Sequence, residues 1–403
     1  MNRAEKRRQK KLAKKAASRP PNHHSIASHQ TLSLAMQHHS AGRLSEAESL
    51  YQQILQADPN QPDALHLLGV IAAQGGKSDL AVDLITKAIA IEPNYADAHS
   101  NLGNALKDLG KLDEAVASYH KALAIKPNYA EAHSNLGNAL RDLGKLDEAM
   151  ASYHKALAIE PNYANAHSNL GTVLSDLGKL EEAVASYHKA LAIKPDYTEA
   201  HSNLGNALRD LGKLDEAVAC YLKALAIEPN SADAHSNLGT VLTDLGKLDE
   251  AMASFHKALA IKPDFAKAHS NLGNALKDLG KLDEAVASYH QALAIKPDYA
   301  EAHRHLSVVI KYSEYDDNVR SMENAYAKSG ISNEERMHLA FGLGKAFEDL
   351  QQYDEAFDYF ATGNAIKRGS FSYSIEDDAR FLEKLKSIFS PSLFAAHKQG
   401  GAG

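Results

Sequence analysis

A pattern of apolar and polar positions recurs every 34 residues over residues 28–299. In the unit of residues 96–129, apolar side chains recur at spacings of three and four on two segments separated by Gly110. This spacing predicts two amphipathic helices. Gly110 stands where a left-handed helix cap favours glycine, and Pro127 ends the second helix. The pattern therefore predicts a helix–turn–helix unit that is copied along the chain.

Two local expectations concern how the helices of a unit meet and begin. Gly103 lies inside the first helix, where glycine costs roughly 1 kcal/mol relative to alanine. We expect it to permit a close approach of the second helix at Ala115. Asn128 and Glu131 have the spacing of a capping box, so the next helix is expected to open at Asn128. The same spacing recurs in Asp196 with Glu199 and in Asp298 with Glu301.

A fixed period of this length is typical of a solenoid, in which each unit contacts mainly its neighbours. The fold class predicted is all-α, with stacked helix pairs that bury apolar faces a single pair would expose. The unit resembles the tetratricopeptide repeat (TPR) family at the signature positions Leu102, Gly103, Ala115, Tyr119, Ala122 and Pro127. His99 departs from it, since the family often has an aromatic residue there. The resemblance implies a right-handed α-solenoid, or superhelix, whose first helices line a concave, protein-binding surface.

The chain divides into five predicted parts. Residues 1–27 form a basic tail that is expected to be disordered, and residues 28–299 form eight 34-residue units. Residues 300–336 are a degenerate repeat, in which His305 and Ser307 replace the usual Asn and Gly. Residues 337–370 recover the pattern as a further TPR-like unit. Residues 371–403 are predicted to hold a capping helix, at about residues 381–389, and a flexible C-terminus.

Charge and composition restrict the class of protein. The first 19 residues carry a charge of +8 and the whole chain −7, which leaves −15 on the remainder. The basic tail suggests nucleic acid, a ribosome or another anionic surface as a partner, although no aromatic residue interleaves with its charges as single-strand binding requires. The sequence has no secretory signal and no apolar run long enough to predict a membrane span, and Cys220 is its only cysteine. These features predict a cytoplasmic protein.

Polar side chains recur on the face of each first helix opposite the apolar stripe. The first asparagine row consists of Asn101, Asn135, Asn169, Asn203, Asn237 and Asn271. The second asparagine row, three residues on, consists of Asn104, Asn138, Thr172, Asn206, Thr240 and Asn274. The aspartate row consists of Asp108, Asp142, Asp176, Asp210, Asp244 and Asp278. Spacings of three and seven residues place all three rows on one helix face.

We expect these rows to bind a protein or an extended peptide. An asparagine amide both donates and accepts hydrogen bonds, so it can hold a peptide backbone without reading side chains. Helices packed about 10 Å apart would meet roughly every third residue of an extended chain. The aspartates favour polar to basic peptides. The first row is similar to the asparagine ladder in the TPR arm of O-linked N-acetylglucosamine transferases, which implies the same backbone grip.

A simpler interpretation of the rows stays open. Duplication of the repeat copies any tolerated surface residue, and each aspartate could pair with the nearby turn lysine, Lys111 and its equivalents.

No metal, cofactor or catalytic group is predicted. Histidines at equivalent positions of stacked repeats lie about 10 Å apart, whereas zinc requires nitrogens about 2 Å from one ion. We therefore expect packing and surface roles for His99, His120 and their equivalents. Gly342 to Lys345 lacks the spacing of a phosphate-binding loop and lies in a predicted helix. The chain is predicted not to be an enzyme.

A second resemblance concerns the C-terminal part. Residues 338–350, 353–357 and 363–368 are similar to the segment that precedes the catalytic domain in bacterial TPR-containing sulfotransferases. This implies an alternative function, the substrate-recruiting arm of a sulfotransferase or glycosyltransferase whose catalytic domain is a separate partner. The main prediction is a peptide-binding scaffold, and a nucleic-acid- or ribosome-associated protein is a second alternative.

Overall fold

The computed structural model describes residues 23–370 and 374–388, where it contains helices and no strand. The helices are α1 (His23–Ser40), α2 (Leu44–Ala57), α3 (Pro62–Gln74), α4 (Ser78–Ile91), α5 (Ala96–Asp108), α6 (Leu112–Ile125), α7 (Ala130–Asp142), α8 (Leu146–Ile159), α9 (Ala164–Asp176), α10 (Leu180–Ile193), α11 (Thr198–Asp210), α12 (Leu214–Ile227), α13 (Ala232–Asp244), α14 (Leu248–Ile261), α15 (Ala266–Asp278), α16 (Leu282–Ile295), α17 (Ala300–Val309), α18 (Asp317–Ala327), α19 (Asn333–Asp349), α20 (Tyr353–Gly369) and α21 (Ile375–Ile388). None of these helices is long and apolar enough to cross a membrane.

The helices form two compact units, Met1–Leu211 and Gly212–Gly403. Within each unit consecutive helices pack against each other, from α1 to α11 in the first unit and from α12 to α20 in the second, which confirms the predicted all-α solenoid. First helices of neighbouring repeats also meet. In the first unit these contacts are α3 with α5, α5 with α7, α7 with α9 and α9 with α11, and in the second they are α13 with α15 and α15 with α17. The polar faces of neighbouring repeats therefore lie side by side within a unit.

The turn between the helices of a unit has the predicted glycine cap. Gly110 has a φ of +73°, in the left-handed region that glycine adopts most easily. The N–H of Lys111 donates to the carbonyl oxygen of Leu106 at 2.9 Å, which closes the end of α5. The predicted apolar faces are buried, and Ala98, Ala115 and Tyr119 have no exposed surface. The local sequence thus determines both the turn and the side of each helix that is buried.

The second helix comes close to Gly103, and its nearest residue there is Tyr119. A Cβ atom at Gly103 would meet Cε1 of Tyr119 at 2.6 Å. Gly137 and Gly273 are related in the same way to Tyr153 and Tyr289. Glycine therefore makes room for an aromatic ring of the second helix.

The predicted capping boxes at the repeat junctions were wrong. Helix α7 begins at Ala130, with Tyr129 at the cap position and no side-chain cap. Asn128 belongs to the preceding turn, because Pro127 and Asn128 form the link from α6. The Nε2–H of His133 instead donates to the carbonyl oxygen of Pro127 at 3.0 Å and ties the new helix back to this turn.

The C-terminal repeats depart from the regular ones. Helix α17 has 10 residues, and it packs more extensively on α19 than on its own partner α18. Tyr312, in the link between α17 and α18, is buried in a core with Val319, Met322 and Leu343.

Both ends differ from the predicted boundaries. Residues 23–27 of the predicted tail are helical in α1, and residues 1–22 lie outside the described residues. Helix α21 begins at Ile375, earlier than the closing helix predicted at about residues 381–389.

Candidate peptide-binding surface

The three polar rows lie on the first helices. Every member of the two asparagine rows is half-buried, and every member of the aspartate row is exposed. The first unit carries the first-row residues Asn101, Asn135, Asn169 and Asn203, and the second unit carries Asn237 and Asn271. A ligand can therefore reach these side chains, while their neighbours hold them in place.

The second asparagine row is bound by tyrosines of the second helices. The hydroxyl of Tyr119 donates to Oδ1 of Asn104 at 2.7 Å, and that of Tyr153 donates to Oδ1 of Asn138 at 2.6 Å. In the second unit Tyr289 donates to Asn274 at 2.8 Å. Burial raises the pKa of each of these hydroxyls above the usual value, so each stays a donor.

This contact fixes the orientation of the amide. Oδ1 of Asn138 also accepts a hydrogen bond from Nδ2 of Asn169 in the next repeat, at 2.9 Å. Both lone pairs of that oxygen are then used, and Asn138 has only its two N–H donors left for a ligand. In the second unit Nδ2 of Asn271 donates to Oγ1 of Thr240 at 3.1 Å, across the same pair of rows.

The side chains of the first asparagine row make fewer hydrogen bonds to other described residues than those of the second row. The side chains of Asn135, Asn203 and Asn237 make no hydrogen bond to any of the described residues. They are half-buried, so each presents a donor and an acceptor at the surface. The first row therefore keeps the two-sided hydrogen-bonding capacity that a peptide backbone requires.

One end of the first row joins a hydrogen-bond network in the first unit. Nδ2 of Asn101 donates to Nε2 of His66 at 2.8 Å, and Nδ1 of His66 bonds the hydroxyl of Tyr95 at 2.9 Å. Tyr95 in turn donates to Asp63 at 2.9 Å. Burial lowers the pKa of His66 to about 4, despite the nearby carboxylates, so the ring accepts the asparagine proton at neutral pH.

The aspartate row has other partners than those expected. Instead of the turn lysines, the preceding residue on the same helix pairs with three of the aspartates: Arg141 with Asp142 at 3.5 Å, Arg209 with Asp210 at 2.9 Å and Lys277 with Asp278 at 3.3 Å. These pairs are exposed and weak. They nevertheless offset part of the negative charge that we expected to favour basic ligands.

The sequence analysis missed a fourth row at the start of the first helices. Asp97, Glu131 and Glu199 lie four residues before the first asparagine row, so they share its face. All three are exposed, and Asp97 lies 3.7 Å from Lys126 of the following turn. The spacing of four residues between each of these carboxylates and the next asparagine of the first row could have predicted that they share one face. With the aspartate row, these carboxylates flank the asparagines at both ends.

The histidines of the first helices have the packing role that was expected. Nε2 of His133, His167 and His235 bonds a proline carbonyl oxygen at 3.0 to 3.1 Å. Their Nδ1 atoms are buried without a partner. Burial lowers the pKa of all three rings, so they stay neutral in the fold.

One cluster among the described residues has the composition of a metal site. Glu301, Glu334 and His338 bring ligand atoms within 4.8 Å of one another. A nitrogen of the Arg304 guanidinium lies 3.2 Å from Nδ1 of His338, however, and it puts a positive charge beside the site. We therefore do not assign a metal to this cluster.

Comparisons with known proteins agree with this architecture. The family model described as TPR repeat matches six segments that together cover residues 103–309. Two further models, each described as tetratricopeptide repeat, match residues 38–100 and 84–117. A comparison with curated proteins finds no match.

Solved structures supply three relatives. MamA is 30% identical, covers 41% of this chain and 96% of its own, and has a TM-score of 0.38. YrrB, titled a TPR protein with an unusual peptide-binding site, is 29% identical and has a TM-score of 0.40. The match covers 46% of this chain and 96% of YrrB. A chain of the APC/C hetero-tetramer Cut9–Hcn1 is 19% identical and has a TM-score of 0.53. The match covers 66% of this chain and 52% of that chain. On the match of its repeats over residues 103–309, the chain belongs to the tetratricopeptide repeat family.

Proposed function

We propose that this protein-interaction scaffold holds an extended polypeptide along the polar face of its first helices. The observation that carries the proposal is the first asparagine row, whose side chains at Asn135, Asn203 and Asn237 are accessible and make no hydrogen bond to the described residues. Such amides pair with both the N–H and the C=O of a peptide unit, whatever side chains the peptide carries.

The second asparagine row supports the same function in a different way. Tyrosine hydroxyls occupy the amide oxygens of Asn104 and Asn138, so these side chains offer N–H donors to a ligand. A surface rich in donors suits the backbone carbonyl oxygens of an extended chain. The carboxylates of Asp97, Glu131 and Asp108 at the edges favour ligands with basic side chains, less strongly than an unpaired aspartate row would.

The test compares two triple variants of the full chain. Wild-type protein is first screened against an array of unstructured, polar to basic peptides, and the strongest binders are titrated. Replacing Asn135, Asn169 and Asn203 with Ala removes at least three hydrogen bonds of about 1 kcal/mol each, which weakens binding by about 100-fold. The control replaces the exposed His120, His154 and His188 of the second helices with Ala and keeps wild-type affinity.

Circular dichroism verifies that both variants stay folded. Equal affinities of the two variants, or no peptide binding by the wild-type chain, would contradict the proposal.

The alternatives from the sequence analysis stay predictions. The basic tail lies mostly outside the described residues. The resemblance to the arm of a sulfotransferase or glycosyltransferase concerns a separate catalytic partner, and such an arm would use the same surface to recruit its substrate.

A further inference from the structure

The last described helix, α21, exposes an apolar face. Ile375, Phe381, Leu382 and Ile388 are 68%, 60%, 55% and 51% exposed, and Leu385 is half-buried. These positions share one side of the helix, because they recur at spacings of three, four and seven residues. Helix α21 has no extensive contact with any other described helix. Its apolar side therefore lacks a cover within the described part of the chain.

Such a helix requires a partner. Helix α21 has 14 residues, and an isolated helix of about 12–15 residues is marginal in water. Exposed apolar side chains add nothing to its stability unless another surface covers them. A partner that covers this side would stabilise the helix itself.

The preceding helix, α20, has a second uncovered apolar surface. Tyr353 and Phe357 are 64% and 70% exposed. At the equivalent positions of the regular repeats Leu112 and Val116 are half-buried, and Leu282 is 48% exposed, which is still less than Tyr353. Two consecutive helices at this end therefore expose side chains of the kind that the regular repeats partly cover.

The charges of α21 indicate which partner fits. Asp378 lies within the apolar stripe, and Lys386 lies eight residues away at its edge, too far along one helix for the two to pair. Lys386 pairs with Glu383 of its own helix at 2.7 Å, but this pair is exposed and weak, so Lys386 can exchange it for a carboxylate of a partner. When two copies of α21 pack antiparallel about a point near Leu382, Asp378 of each copy faces Lys386 of the other. A two-fold axis makes this contact twice, as an isologous interface requires.

From these observations we propose that the apolar side of α21 forms a self-association surface, whose partner is a second copy of this chain. Helix α21 carries none of the residues of the asparagine rows. This proposal does not depend on the proposed peptide-binding function.

Sedimentation equilibrium of the full chain over a wide range of concentration tests the proposal. The wild-type chain is expected to dimerise. Leu382→Glu puts a charge in the apolar contact and weakens the dimer by about 100-fold. Ser387→Glu, which puts the same carboxylate on the opposite side of α21, leaves dimerisation unchanged. Circular dichroism verifies that both variants keep the fold.

A charge exchange tests the antiparallel arrangement. Asp378→Lys alone and Lys386→Asp alone each place like charges opposite each other at two symmetric sites, which weakens the dimer by about 10-fold. The double variant D378K/K386D restores the wild-type constant. A monomeric wild-type chain, as expected if residues 389–403 or another protein cover α21, overturns the proposal. So does a dimer that L382E does not weaken, and failure of the double variant to rescue overturns the arrangement.

Discussion

The regular repeats of the first unit and the last two repeats of the second unit have different residues at equivalent positions of their first helices. At one pair of positions the regular repeats have Asn101 and Asn104, or their equivalents, whereas the last two repeats have His305 and Val308, then Gly342 and Lys345. The regular pair forms accessible polar rows. The later repeats place an exposed valine, 62% accessible, where the second row would continue. A constant period thus repeats a helix pair, while the residues at a few positions decide what its surface can bind.

The degenerate repeat also packs its second helix differently, whereas the last repeat keeps the glycine–aromatic contact between Gly344 and Phe360. In the regular repeats a glycine faces a rigid aromatic ring, as Gly137 faces Tyr153. In the degenerate repeat Ser307 takes the glycine position and Met322 packs nearby, against Gly342 of the next repeat. Consistently, α17 packs chiefly on α19 instead of α18. Loss of the glycine–aromatic contact accompanies loss of the standard hairpin.

Acid is expected to weaken both regions through buried histidines, because burial lowers the pKa of His303 and His305 in the degenerate repeat as well. Burial lowers the pKa of His133, His167 and His235, so the fold favours their neutral form. Below about pH 6.5, the ordinary histidine pKa, the unfolded chain takes up protons that the folded chain refuses. Stability is therefore complete above that pH and falls by up to about 1.4 kcal/mol per pH unit for each histidine as the pH drops towards the folded pKa. Denaturant unfolding at a series of pH values measures this slope.

A variant separates these histidines from the other titrating groups. Replacing all three with Phe should flatten the slope below pH 6.5, because the position then no longer titrates. Replacing the exposed His120, His154 and His188 with Ala should leave the slope unchanged. Equal slopes in wild type and the Phe variant would show that the buried rings do not determine acid sensitivity.

Alanine at two glycines should have opposite effects. A Cβ at Gly137 meets the Tyr153 ring at 2.7 Å, and this overpacking exceeds the helix-propensity gain, so the free energy of unfolding falls by about 1–2 kcal/mol. A Cβ at Gly342 meets the flexible end of Met322 at 3.0 Å, so Gly342→Ala should be neutral or stabilise by up to about 1 kcal/mol. Chemical denaturation of each single variant provides the comparison. Similar losses at both sites would mean that the aromatic ring is not the constraint.

Removal of a tyrosine hydroxyl should change the stability of a regular repeat and of the degenerate repeat in opposite directions, by a smaller amount. Tyr153→Phe loses the bond to Asn138 and should lower stability by about 1 kcal/mol. The hydroxyl of Tyr312 is buried without a partner, so Tyr312→Phe should raise stability by about 1 kcal/mol. Thermal melts of the two variants measure the difference in sign. A loss of stability in Tyr312→Phe would contradict this prediction, because it would mean that the Tyr312 hydroxyl makes a stabilising hydrogen bond.

The helices and the glycine turn of the regular repeats followed from the sequence, whereas the caps at the repeat junctions and the contacts between helices did not. The apolar spacing predicted both helices of a unit, and Gly110 predicted the turn. The same spacing placed Asn101, Asn104 and Asp108 on one face. No spacing along the chain reports the distance between Tyr119 and Asn104, which depends on how two helices pack. For the same reason the tyrosine hydroxyls that orient the second row, and the packing of α17 on α19, became visible only in three dimensions.

Photo-crosslinking from the first asparagine row tests the central claim, that this row binds an extended peptide, most directly. A photoreactive amino acid at position 135, in the first asparagine row, is compared with the same residue at position 154, on the exposed side of α8. With a peptide that binds the wild-type chain, the account predicts crosslinks from position 135 and none from position 154. Crosslinks from position 154 alone would contradict it, because the peptide would then lie away from the asparagine rows.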